Sequence, residues 1–393
     1  MSTVTPVARP TTEDVVRIAE NLIPVLRERA VLVDRERRIP DETYRELIDA
    51  GLWRILKPTR YGGYEMSEAD HAKVAVTLAE GCASTAWVWS ILSSDNMAIC
   101  SFPEQAQEDI WGQNPDATLA GNTTLNLKAA AEKVDGGYRV TGKWGFCSGS
   151  DFSEWLIFHA PLGPEREGYM FLVPREEVTT IDDWHPTGLR GTGSRSQAID
   201  RVFVPEHRAQ RTSETVDKLA ERRTLHPTFD AMYAPYPSYG RFTFSSVGVG
   251  AVYGAAKYFL DTASTATRVA SAVGGQVRLI DQDYVATEIT DIMAQLETAK
   301  LVIERRSEEA SERARQHRES SEQDLARENR DNAFVARVAL RSAQRLSSLV
   351  GSKSGFPDHP VSRALRDAEL VSHHVTLNWR QAGVRYLASR AAV

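Results

Sequence analysis

Residues 142–150 read GKWGFCSGS and follow a short β-like run, GYRVT, at 137–141. Two aromatics, a thiol and two hydroxyls stand among three glycines. A loop this rich in small residues lets its backbone lie close to a flat ligand, and Trp144 or Phe146 offers a ring to stack on it. Just upstream, LKAAAEKVDGGYRVTGKW (127–144) predicts two strands around a turn in which Asp135-Gly136-Gly137 suits positive φ. EWLIFHAPL (154–162), GYMFLVP (168–174) and QAIDRVFVP (197–205) predict further short strands that end at prolines or glycines.

Outward from this β module the period changes to that of helices. In TTEDVVRIAENLIPVLRERA (11–30), Thr11 and Asp14 have capping-box spacing, and Val15, Ile18, Leu22 and Leu26 share one face. A second helix starts at Asp41 after Pro40 and closes at Gly51; Ser67 and Asp70 repeat the box before residues 71–99, which are apolar nearly all round and predict one buried central helix. Beyond the module, residues 245–270, 281–316, 324–351 and 361–390 predict four long amphipathic helices, enough for an antiparallel bundle. The charged run at 303–332 alternates both signs, as expected of the solvated tip of a helical hairpin. The fold class is thus mainly α with a central antiparallel β module. Expected boundaries are an N-terminal helical domain at 1–112, a β-barrel-like domain at 113–210, a substrate or lid loop at 211–242 and a four-helix bundle at 243–393.

At 393 residues the chain is long for a single core, and 42% apolar with 25% charged residues is ordinary for a globular protein. Its formal charge of -6 is dispersed, with no basic stripe, which argues against nucleic acid as a partner. The N-terminal residues lack the pattern of a secretory signal and no stretch has the length of a membrane span, so the expected location is cytoplasmic. Cys82, Cys100 and Cys147 lack the paired spacing of a zinc site, and no metal is expected.

Helices, a β module and a four-helix bundle in that order resemble the acyl-CoA dehydrogenase fold over almost the whole chain. Three words carry the likeness: GYRVTGKWGFCSG (137–149), GLRGTGSRSQAIDRVFVP (188–205) and VGSKSGFPDHPVSRALRDAEL (350–370). The resemblance implies that the 142–148 loop lies along a flavin, with Phe146 at the aromatic position, Ser148 as the hydroxyl near N5, and Trp144 and Cys147 beside them. Thr192 and Ser194 would serve the flavin phosphate or the substrate mouth, Arg268 a phosphate across a subunit boundary, and Gly351 and Gly355 the distal part of the cofactor. Dehydrogenases of this fold often carry a glutamate base nine residues after the Arg of RDA; counting from Arg366 gives Val375, which accepts no proton. Immediately before it stand His373 and His374.

STAWVWSILSSDN (84–96), WGFCSGSDFSEW (144–155), WHPTGLRGTGS (184–194) and SHHVTLNW (372–379) resemble the two-component flavin-dependent monooxygenases of this superfamily. That branch implies reduced FMN or FAD supplied by a separate NAD(P)H-flavin reductase, O2, a C4a-hydroperoxyflavin, and a homotetramer. A histidine then holds or shuttles a proton. Two adjacent histidines on a helix point about 100° apart, so at most one faces the flavin, with His374 favoured over His373 and Ser148 completing the catalytic set. Candidate substrate contacts are Trp87, Asp95, Asn96 and Asn122, and Tyr233, Tyr236 and Tyr239 of the aromatic connection 224–244, whose rings either meet substrate or pin that loop. Phenol hydroxylases of the branch carry a histidine where Asp95 stands and a serine where Gly121 or Asn122 stands, which favours another acceptor. Asp95 either pairs with a cationic amine or bonds to backbone at a helix end. The expected activity is hydroxylation of a small phenol- or indole-like metabolite; the alternatives are N-oxygenation of a nucleotide-linked amino sugar and an acyl-CoA dehydrogenase with a relocated base.

Overall fold

The computed structural model describes residues 9–234, 241–269 and 276–391. Five helices come first: α1 (Thr12–Glu36), α2 (Asp41–Asp49), α3 (Glu68–Gly81), α4 (Ala83–Cys100) and α5 (Glu104–Trp111). The Thr11/Asp14 and Ser67/Asp70 capping boxes both form, and Gly51 takes φ 72° just beyond α2. The single helix expected over 71–99 is broken at Cys82, whose backbone is extended at φ -155° and ψ 114°. α4 is buried along almost its whole length, as its all-round apolarity requires.

The middle of the chain forms β1 (Leu119–Asn122), β2 (Ala130–Val134), β3 (Gly137–Trp144), β4 (Trp155–Leu162), β5 (Glu167–Pro174), β6 (Thr179–Ile181), β7 (Ser196–Pro205) and β8 (Ala209–Arg211). Strand order is β6-β7-β3-β2-β4-β5-β8, with β1 also on β4. Most pairs are antiparallel, but β1 and β2 each meet β4 in parallel, so the sheet is mixed where alternation alone predicted an antiparallel one. Trp144, Phe158, Phe171, Val140 and Leu156 fill its core. Helices α6 (Glu214–Asp217) and α7 (Leu219–Arg223) and a 3-10 turn at Asp230–Tyr233 give structure to a connection expected as loop.

The C-terminal part comprises α8 (Thr243–Ala263), a ribbon of β9 (Thr267–Val269) and β10 (Gln276–Arg278), α9 (Asp283–Arg315), α10 (Glu322–Val350), α11 (Pro360–Ser372) and α12 (Trp379–Ala391). α8 packs against α3, α4, α9, α10 and α11 and so joins the bundle to the N-terminal helices. A Cβ at Gly250 would overlap the carbonyl of Val76, so only glycine permits this approach of α8 to α3. The fourth predicted helix is two helices separated by a 3-10 turn at Val375–Leu377. Side chains make the break: His374 accepts from the Thr376 N–H, and Asn378 Oδ1 from the Gln381 N–H at 3.1 Å. At the hairpin tip the charges are not all solvated, for Arg313, Glu328 and Asp331 are buried. No helix among the described residues is long and apolar enough to cross a membrane.

Candidate active site

Past the end of β3 the strand's alternation stops at Phe146, whose positive φ turns its side chain away from the face that Trp144 occupies. Trp144 points inward, its ring stacked on Phe158 at 4.4 Å and its Nε1 donating to the His159 carbonyl at 3.0 Å. Cys147 also points inward and is fully buried; desolvation pushes its thiol up to about 12. Both belong to the β core, so the expectation that they flank a cofactor gives way to a packing role. Phe146 faces the other way at φ 59°, 73% exposed, with its ring edge-on to Trp184 at 5.7 Å. Asn122, expected at the substrate, instead braces the loop by donating to the Gly145 carbonyl at 2.8 Å.

Ser148 opens a line of hydroxyls. Its Oγ lies 2.6 Å from Ser194 Oγ, which lies 2.6 Å from Thr192 Oγ1. The turn carrying these two residues is gripped by α11: the Leu189 N–H donates to Asp367 Oδ1 at 2.6 Å, and Arg366 reaches both Asp34 and the Thr187 carbonyl. A Cβ at Gly188 would overlap the Arg366 carbonyl. The GLRGTGS and RDA words, far apart in sequence, therefore form one joint.

Trp87 of α4 donates its indole N–H to Ser148 Oγ at 3.1 Å. Its ring meets Phe244 of α8 at 4.5 Å and His374 at 5.7 Å, and Phe244 lies 3.9 Å from His374. Three helical elements thus converge on the β3 loop. His373 is exposed at the end of α11, whereas burial pushes the His374 imidazole down to about 4, so His374 is neutral at pH 7. The Thr376 backbone N–H donates to Nδ1 at 3.4 Å and Thr376 Oγ1 stands 2.8 Å from the same nitrogen. Nδ1 is therefore an acceptor, and the proton of the neutral ring is assigned to Nε2. Val375 begins the 3-10 turn and is 66% exposed.

Asp95 lies two turns beyond Trp87 on α4. Among the described residues its carboxyl has no hydrogen-bond or ion-pair partner, and desolvation pushes it up to about 8. The backbone bond that a helix-end reading required is not made. The folded state keeps a proton that the unfolded chain releases near 3.8, so stability is full at acid pH and is lost as pH rises through about 8. Asp95→Asn is expected to flatten this dependence; urea unfolding at pH 5 and 8 showing the same slope in both proteins would refute it.

Other expected contacts lie elsewhere. Asn96 is buried on another face of α4 and ties it to the Trp53 carbonyl at 3.0 Å. Tyr233 stacks on His317 at 3.8 Å with the Arg223 guanidinium 4.0 Å over its ring, so it pins the connection to the hairpin tip. Tyr236 and Tyr239 lie outside the described residues, and only the backbone of Arg268, in β9, falls within them. Gly351, at φ 71°, ends α10, and Gly355 closes the next turn before Phe356, 67% exposed. Sequence reasoning missed Phe244 and Trp184. Trp184 sits within a word already singled out, while nothing local separates Phe244 from the other aromatics of its segment.

Residues 11–113 match the model of the acyl-CoA dehydrogenase N-terminal domain, and residues 242–379 that of the acyl-CoA dehydrogenase C-terminal domain. The chain is 30% identical over 367 residues to the oxygenase component of FADH(2)-dependent resorcinol hydroxylase from Rhizobium sp., covering 91% of this chain and 89% of that one. Among solved structures it is similar to 3-HSA hydroxylase from Rhodococcus sp. RHA1, with a TM-score of 0.89, 27% identity and 97% of both chains covered. It is also similar to XiaF from Streptomyces sp. in complex with FADH2 and glycerol, with a TM-score of 0.88, 25% identity, and 97% and 96% covered. The chain belongs to the acyl-CoA dehydrogenase family, in its flavin-dependent oxygenase branch. The site of this oxygenase fits a flavin on its own terms. The 73% exposed ring of Phe146 is held at positive φ beside a buried run of hydroxyls, an apolar face with polar groups at its edge that matches an isoalloxazine.

Proposed function

We propose that this oxygenase hydroxylates a small aromatic or heteroaromatic compound, phenol- or indole-like, in the space bounded by Phe146, Ser148, Trp87, Phe244 and His374. The chain works as a flavin-dependent monooxygenase with O2 and a reduced flavin, FMN or FAD, delivered by a separate reductase. Bound reduced flavin supplies the electrons that activate O2 for insertion of one oxygen atom. The protein's residues do the rest. Trp87 and Phe244 offer aromatic faces to a ring and keep water out. Neutral His374 offers Nε2–H as a hydrogen-bond donor beside the reacting oxygen. Asp95, uncharged near pH 7, is available to a phenolic O–H or indole N–H of the substrate.

The observation that carries this reading is the packing of His374 against Phe244 and Trp87, with Trp87 bonded to Ser148. The resorcinol-hydroxylase relative supports an aromatic substrate and does not favour an amino sugar. An assembly of identical subunits, a homotetramer, agrees with the exposed Val384 and Leu387 of α12 and Phe334 of α10, apolar groups that a neighbouring copy would cover. Arg268 is proposed to reach a flavin phosphate of such a neighbour.

The test is to supply photoreduced FMN or FAD under isotopically heavy O2 with a panel of phenols and indoles. Incorporation of one heavy oxygen into a ring is expected. Bleaching of bound oxidised flavin by an acyl thioester, with no oxygen incorporated into any aromatic, would overturn the reading.

A further inference from the structure

The hydroxyl chain beside the loop has a direction. Its last member, Thr192 Oγ1, lies 2.9 Å from the Leu189 carbonyl oxygen, which accepts and never donates. A hydroxyl has one proton. With that proton on Leu189, Thr192 accepts from Ser194, and Ser194, its own proton spent, accepts from Ser148. The Trp87 indole, which only donates, occupies another lone pair of Ser148. Every donor in the chain is then satisfied. Reversed, the chain forfeits the bond to Leu189 and turns the Ser148 proton outward, where no acceptor among the described residues meets it. Thr192 and Ser194 are 2% and 4% exposed, so water does not replace the bond to Leu189 that reversal gives up.

Ser148 consequently offers a ligand one lone pair and no proton. N5 of a flavin is a lone-pair acceptor when oxidised and an N–H donor when reduced by two electrons. An acceptor facing N–H makes a hydrogen bond; facing oxidised N5 it opposes one lone pair to another. We infer that Thr192 and Ser194 are positioning residues that polarise Ser148, so that the site selects dihydroflavin over oxidised flavin. This rests on the flavin reading of the loop and adds to it what sets the preferred oxidation state.

The test compares dissociation constants for oxidised flavin in air and for photoreduced flavin under anaerobic conditions, using FMN and FAD with the full chain. The wild type is expected to bind the reduced form more tightly. Thr192→Val removes the acceptor for Ser194, whose proton turns back toward Ser148 and frees the Ser148 proton to face the ligand. The oxidised-to-reduced ratio of dissociation constants is expected to fall about tenfold, the scale of one hydrogen bond. Thr192→Ser keeps the hydroxyl and is expected to keep the wild-type ratio, and Ser194→Ala breaks the chain independently should the valine variant fail to fold. A ratio unchanged within about twofold in both broken variants, alongside a wild type that binds flavin, overturns the polarity inference and leaves the flavin reading standing. A wild type that binds neither oxidation state overturns both.

Discussion

His374→Ala is expected to slow oxygen transfer to substrate by roughly 10²- to 10³-fold, the usual cost of removing a positioned hydrogen-bond donor, while reduced flavin still binds. His373→Ala is expected to stay near the wild-type rate, because that ring is exposed and makes no contact with the Trp87–Phe244 cluster. Rapid mixing of reduced protein with O2 and substrate measures both. The pH dependence carries its own sign. Burial holds His374 down at about 4, below the 6.5 of the free side chain, so the imidazole keeps one protonation state from pH 6 to 8 and contributes no inflection in the oxygenation rate there. The same shift makes the folded state bind fewer protons than the unfolded one, so stability falls as pH drops from 6.5 toward 4. Normal oxygenation by a variant lacking both histidines would remove His374 from the mechanism.

The largest stability loss is expected at Glu328. This carboxylate is 2% exposed and lies between the guanidinium groups of Arg241, at the entry to α8, and Arg313, near the end of α9. The Arg241 N–H in turn donates to Glu68 of α3 at 2.9 Å, and Asn332 of α10 donates to the Arg241 carbonyl at 3.1 Å. Four helices meet at this one cluster. Glu328→Ala takes this anion from two largely buried guanidinium groups, leaving Arg313 only the more distant Asp324 at 4.0 Å, and is expected to cost about 3–5 kcal/mol, because the desolvation already incurred is no longer offset. Glu312→Ala, which breaks an exposed pair with Arg315 on the same hairpin, is expected to leave the unfolding midpoint unchanged. Equal midpoints for the two variants in denaturant would show that the buried cluster does not hold the bundle.

How far the sequence could be read depends on the range of the interaction that fixes each feature. Local signals were legible: the Thr11/Asp14 and Ser67/Asp70 boxes, the end of α2 at Gly51, the β2–β3 turn, and the α9–α10 hairpin all lie within a few residues of the groups that make them. The words that resemble the family mark the loop and the His pair for the same reason, since each is a contiguous run.

Periodicity failed where a side chain bonded to backbone out of pattern. It gave one helix through His374, because a capping imidazole and a capping Asn378 leave the apolar spacing untouched. It also merged α3 with α4 across Cys82.

From the sequence alone came the order of helices, strands and bundle and the apolar α4, which follow from local chemistry that a chain carries whatever it packs against. The resemblance to the family singled out Phe146, Ser148 and the His pair. Only the tertiary structure decided that Trp144 and Cys147 serve the β core, that Asn96 faces away, that His374 and not His373 meets Trp87 and Phe244, and that Ser148 is aligned by Thr192 and Ser194. Direction at such places is set by partners tens to hundreds of residues distant. Close packing admits one orientation of each side chain, and no short window of sequence contains the neighbours that select it.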